Sequence, residues 1–273
     1  MFQGVLTKMQ TEFKSPVDYY LVFKDSFVHV NRFLEKEVHI VHTGTQCLNC
    51  SQPKEIFRQG FCKSCFFETP SAGEWIMKPE LSKAHLGIED RDLAYEQRVQ
   101  LQPHIVYFAV SSGLKVGVTR DTQVPTRWMD QGATQAQPIF RVDTRLYSGI
   151  VETLFKDHVA DKTSWQAMLK GDADPVDLES ERQRLVHECQ QGLEQVREQY
   201  GLQSVTELVS AEETRIAYPV LEHPTKVKSF NLDKTPTVEG TLMGIKGQYL
   251  IFDTGVINMR KYGGYHLAVA EIN

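Results

Sequence analysis

Apolar and polar positions change period several times along the chain, and the changes divide it. Residues 1–46 carry "DYYLVF", "SFVHV" and "EVHIVHTG", short apolar runs with polar breaks between them, which predicts strands. In "HIVYFAVSSGLKVGVTRDTQVPTRWMDQGA", residues 104–133, the runs "IVYFAV" and "LKVGVT" read as two strands joined by a Ser-Ser-Gly turn. Pro125 then suits the first turn of a short helix that Gly132 closes. "QPIFRVDT" predicts a third strand, and "RLYSGIVETLFKDHV" a helix with Ile150, Val151, Leu154, Phe155 and His158 on a broad apolar face. Helical patterning continues to about residue 201, with Cys189 among Leu185, Leu193, Val196 and Tyr200 as a small core residue. Strand patterns then return in "TRIAYPVL", "KVKSFNL", "VEGTLMGIKGQYLIFD" and "VINMRKYGGYHLAVAEI", punctuated by glycines.

This order predicts an α+β fold, and the period changes suggest six segments. They are a β-rich segment over 1–46, a cysteine module over 47–80, a charged connector over 81–103, a mixed unit over 104–170, an acidic helical segment over 171–215 and a β-rich segment over 216–273. The β-rich ends are expected to pack together as a small curved sheet or barrel, with the middle inserted between them.

Composition narrows the classes. A chain of 273 residues, 41% hydrophobic, can bury the cores of about two domains. No apolar run approaches the roughly 18 residues of a spanning helix. The start, "MFQGVLTKMQTEFKS", lacks the basic-then-apolar order of a signal peptide, so a soluble, cytoplasmic protein with no membrane partner is expected. The net charge of -5 argues against a wholly basic nucleic-acid-binding surface, but its distribution is uneven. Residues 98–150 hold six Arg or Lys against three Asp, a balance of +3, and 170–215 hold five basic against eleven acidic residues, a balance of -6.

Cysteine spacing is the sharpest signal. "CLNC" (Cys47, Cys50) and "CKSC" (Cys62, Cys65) are two CxxC pairs separated by eleven residues that include Pro53, Gly60 and basic side chains. Two such knuckles close a thiolate tetrahedron around zinc, as in a zinc ribbon, and four protein ligands leave no open position, which predicts a structural metal. Disulfides or buried thiols are the competing reading, disfavoured in a reducing compartment.

The β, β, α, β, α order of residues 104–160 resembles the GIY-YIG nuclease superfamily. In "IVYF" Tyr107 takes the place of the first motif tyrosine, in "KVGVT" Gly117 that of the glycine, in "PTRW" Arg127 that of the arginine, and in "GIVETLF" Glu152 that of the metal-binding glutamate. The first motif reads Ile105-Val106-Tyr107, and the second tyrosine is replaced by Lys115. The resemblance implies a metal-dependent phosphodiester hydrolase acting on DNA or RNA. Glu152 would hold magnesium or manganese, Arg127 would grip phosphate, and Tyr107, helped by Lys115, would orient or deprotonate water. Thr119 and Arg120 would be further phosphate contacts. Over nearly the whole chain, "CLNC", "KVGVTR", "PTRWMDQGA", "SGIVE", "DKTSW" and "EGTLMGIKGQYLIFDTGVINMRKY" resemble the bacterial domain of unknown function 2797 family, which implies no activity.

Each candidate also has a purely structural reading. Tyr107 can pack in a buried strand, and Lys115 can be a solvated edge residue. Arg127 with Asp130 and Glu152 with Lys156 have the spacing of helix-surface ion pairs. Gly149, three residues before Glu152, is expected to let that helix face approach the sheet. In "DKTSW", Asp161, Lys162 and Trp165 would continue a groove or cap the helix. Besides the nuclease, a non-hydrolytic nucleic-acid-binding protein and a protein-interaction module remain open, as does the oligomeric state.

Overall fold

The computed structural model describes residues 1–159 and 164–272. Strands β1 (Phe2–Glu12), β2 (Asp18–Phe23), β3 (Phe27–His29) and β4 (Glu37–Thr45) come first. The cysteine module follows with α1 (Lys63–Glu68), then single 3-10 turns up to Leu86, then α2 (Leu93–Gln100). The central unit is β5 (His104–Val110), β6 (Leu114–Arg120), α3 (Thr126–Asp130), β7 (Gln135–Val142) and α4 (Arg145–Lys156). Next come α5 (Trp165–Lys170), α6 (Leu178–Glu188), α7 (Gln190–Tyr200), β8 (Val205–Glu207) and β9 (Thr214–Arg215). The remaining strands are β10 (Thr237–Lys246), β11 (Tyr249–Phe252), β12 (Gly255–Asn258) and β13 (Tyr265–Glu271).

Two antiparallel sheets with helices make the class α+β. The larger sheet has the order β12-β11-β10-β4-β13-β1-β2-β3. Because β4 lies between β10 and β13, and β13 beside β1, the first and last segments interleave in one sheet. The smaller sheet runs β6-β5-β7-β8, with β9 also on β7.

The strand patterns follow from which faces are covered. In β2 and β13 burial alternates residue by residue, as one covered face requires. In β5 all seven residues are buried. Ile105, Tyr107 and Ala109 join the core shared with the larger sheet, while Val106, Phe108 and Val110 join the core beneath α4, α6 and α7. A strand covered on both faces reads as a continuous apolar run, as "HIVYFAV" does. On the helix side Phe155 meets Phe108 and Phe140 at centroid distances of 5.5 and 5.9 Å, and burying each ring contributes roughly 1.5–3 kcal/mol.

Several expectations are corrected. The expected connector carries α2, whose Asp92 accepts from the Tyr95 N–H as its N-cap. The helix expected around Cys189 is broken there, and the buried thiol lies 3.4 Å from the Leu154 carbonyl oxygen. "KVKSFNL" forms no strand: residues 216–236 hold only isolated bridges, Val220 to Gly244 and Ser229 to Val256. Pro219, Pro224 and Pro236 lack the N–H a ladder needs. Among the described residues no helix is long and apolar enough to cross a membrane.

Candidate functional site

The central hairpin aims a tyrosine at an edge. Tyr107 pairs with Gly117 of β6 on one side. On the other side the register shifts between Val106 and Tyr107, so that Ile139 is an extra residue in β7. A Cβ on Gly117 would stand 2.7 Å from both Cζ and Oη of Tyr107. The ring therefore passes over Gly117 toward β6, and only glycine permits the approach. Trp128 meets the ring edge-on at 5.8 Å, and the Tyr107 hydroxyl donates to Gln131 Oε1 at 2.9 Å.

A cavity of about 130 Å³ opens beside that hydroxyl, lined by Tyr107, Lys115, Arg127, Gln131, Arg145 and Glu152. The four residues singled out in the sequence thus come from β5, β6, α3 and α4 and meet in one place. Lys115 is 4% exposed, which overturns its reading as a solvated edge residue. Burial, reinforced by the nearby Arg127 charge, lowers its pKa to about 8. Burial raises the pKa of Tyr107, with Arg127 opposing, so its phenol stays protonated at neutral pH and is no general base there. Asp130 does not pair with Arg127: it accepts from Lys8 Nζ at 2.6 Å and Gln248 Nε2 at 2.9 Å. Glu152 does pair with Lys156, at 3.3 Å, and its side chain is 12% exposed.

The helix face carrying Glu152 is seated differently from expectation. A Cβ on Gly149 would meet Glu80 N at 2.4 Å and Pro79 C at 2.8 Å, so at Gly149 α4 closes on the 3-10 turn at Pro79, while Val151 and Phe155 face the sheet. Arg145, which the sequence reading missed, fixes the same wall: its Nε donates to Trp75 O at 2.9 Å and its Nη2 to Ile76 O at 2.5 Å. Burial lowers its pKa to about 10, with Glu152 opposing and Arg127 and Arg120 adding to the drop. Spacing held a signal for it, since Arg145 precedes Glu152 by two helical turns and shares its face.

Thr119 and Arg120 lie outside this cavity. They line an adjoining cleft of about 280 Å³ together with Arg127, Arg145 and Arg260, the last from the 3-10 turn after β12. Asp161 and Lys162 lie outside the described residues, and Trp165 stacks on Tyr249 with ring planes 2° apart.

The four cysteines form a second site. The Sγ atoms of Cys47, Cys50, Cys62 and Cys65 all lie within 4.8 Å of one another, and all four thiols are free of disulfides. A tetrahedral zinc with 2.3 Å bonds needs sulfurs about 3.8 Å apart, so the cluster can hold a metal ion of that kind. Cys47 and Cys50 sit on a turn closed by the Ser51 N–H to Cys47 O at 3.0 Å. Burial pushes the Cys47 thiol up, but N–H groups of Cys62, Cys50 and Asn49 outweigh it and bring the pKa down to about 6, toward the thiolate a metal binds. The module is less strand-like than a ribbon: between the knuckles one bridge joins Arg58 and Phe61, and the second pair opens α1, with Cys62 at its N-cap. From α1 the chain runs directly into the turns that carry Trp75, Ile76 and Pro79. The cysteine cluster and one wall of the cavity are thus consecutive along the chain.

No curated protein and no solved structure matches the chain. The family model described as a protein of unknown function, DUF2797, matches residues 35–267, and the chain belongs to that family.

Proposed function

We propose that the cavity between β6, α3 and α4 is the centre of a metal-dependent hydrolase of phosphodiester bonds in nucleic acid, and that the cysteine cluster holds a structural zinc. One observation carries the reading: Tyr107, Lys115, Arg127 and Glu152, chosen from the GIY-YIG resemblance, line one cavity although they are spread over four elements. Arg127 and Arg145 present guanidinium groups, planar forks for phosphate oxygens, to a phosphate entering it. Tyr107, protonated and donating to Gln131, accepts a hydrogen bond that orients water. Lys115 is the cavity's best proton acceptor above pH 8, where its amine is largely neutral.

Glu152 is the carboxylate that lines the cavity, and a single carboxylate suits magnesium or manganese when substrate oxygens and water complete the shell. The ion supplies charge neutralisation at the phosphate when bound. For it to bind, Lys156 must yield its hold on Glu152. The Glu152–Lys156 pair and the lysine in place of a second tyrosine favour the second reading, a nucleic-acid-binding protein without hydrolysis.

The test is cleavage of labelled DNA and RNA, single-stranded and duplex, with magnesium or manganese and the zinc-loaded protein. Cleavage by the parent is expected, falling at least about 100-fold in Glu152→Gln and Arg127→Ala. Binding without cleavage would select the second reading.

A further inference from the structure

The adjoining cleft mixes cationic with apolar and aromatic side chains: Arg120 at the end of β6, Arg127 of α3, Arg145 of α4 and Arg260 of the 3-10 turn after β12 line it together with Ile76, Met77, Tyr95 and Val99. Met77 is 77% exposed. Arg260 comes from outside the central unit that carries the other three arginines, so the cationic lining is assembled by the fold and not by one local basic run. On a chain of net charge -5, four guanidinium groups around one cleft focus a local positive field. Arg127 and Arg120 are close enough to Arg145 to act on its pKa, with Glu152 and Glu80 opposing them. Tyr95 lines the cleft and carries the Arg98 guanidinium over its ring at 5.3 Å.

We infer that this cleft holds one nucleotide of a single-stranded nucleic acid, phosphate against the arginines and base stacked on Tyr95, with the next phosphodiester passing into the Glu152 cavity. The inference rests on the reading of that cavity as a phosphodiester site. Size supports it: about 280 Å³ accommodates roughly one nucleotide. The lining supports it as well, since arginines beside an aromatic side chain are how single strands are held without sequence preference. The two spaces share Arg127, Arg145, Ile76 and Met77 in their linings, so a strand passes from one to the other without leaving the groove.

The test is fluorescence anisotropy with a labelled 12-nucleotide single strand and the blunt duplex of the same sequence. Zinc-loaded protein is used without magnesium, so that binding is read apart from cleavage. The single strand is expected to bind at least about tenfold more tightly than the duplex. Tyr95→Ala is expected to cost about tenfold and Tyr95→Phe to restore most of it, because stacking needs the ring and not the hydroxyl. Arg260→Ala is expected to weaken binding and to lower the slope of log affinity against log salt by about 0.7. Equal or tighter binding of the duplex would overturn the inference. So would a Tyr95→Phe variant as weak as Tyr95→Ala, or a free mononucleotide binding as tightly as the strand. Cleavage that survives such a result would leave the hydrolase reading standing, and binding as expected with no cleavage would sink that reading alone.

Discussion

At the scale of single residues, the candidate site depends on a missing Cβ and a buried amine. Gly117→Ala would place a methyl 2.7 Å from the Tyr107 hydroxyl, with the ring enclosed by Trp128 and the sheet. A loss of roughly 1–3 kcal/mol in urea unfolding is expected, together with displacement of Tyr107 from Gln131. An unchanged midpoint would show that the ring has room to move. Lys115 titrates near 8 in the fold against an ordinary 10.5. Between those values the unfolded chain binds more protons, so this residue's penalty fades as pH rises, by up to roughly 3 kcal/mol across the window. The parent is therefore expected to gain stability relative to Lys115→Met as pH rises from 8 toward 10.5. Thermal melts of the two proteins across that range check it, and a constant difference would contradict it.

At the scale of elements, the central unit was legible and its surroundings were less so. β5, β6, α3, β7 and α4 each carry their own period and a turn residue at each junction, which is why their order could be read, while Tyr107, Arg127 and Glu152 were singled out by the resemblance alone. β1 went unread because a register shift between Leu6 and Met9 breaks its alternation and buries two residues three apart. Residues 216–232 were overread as strands: Pro219 removes a ladder donor from "TRIAYPVL" while leaving its apolar pattern intact, and "KVKSFNL" makes only the isolated bridge of Ser229 to Val256. Pro79 gives the wall at Trp75, Ile76 and Pro79 a local turn signal, but nothing local ties it to the site: it becomes part of the site only when Arg145 and Gly149 meet it. Metal removal tests that wall. Chelation, or Cys62→Ser, is expected to cost on the order of several kcal/mol. Amide exchange should rise over residues 47–81 and at the start of α4, while β10 to β12 stay protected. Unchanged exchange at α4 would show that the cysteine module and the cavity are uncoupled.

At the scale of the molecule, the two sheets share one core, to which Tyr107 and Ile105 contribute from the smaller sheet, Trp128 from α3, and Leu6, Ile40 and Leu267 from the larger sheet. That shared core brings Arg260 beside Arg127 and sets the cavity against the cleft, an arrangement no stretch of sequence announces. The central claim is that this junction gathers a divalent ion and a phosphate. The most direct test is a crystal soaked with manganese and a non-hydrolysable phosphorothioate dinucleotide, examined by anomalous diffraction at the manganese edge. The expected result is a peak at about 2.2 Å from the Glu152 carboxylate, Lys156 turned away, and the phosphorothioate between Arg127 and Arg145. Glu152 still paired with Lys156 at saturating manganese, with no metal or phosphate in the cavity, would contradict the account.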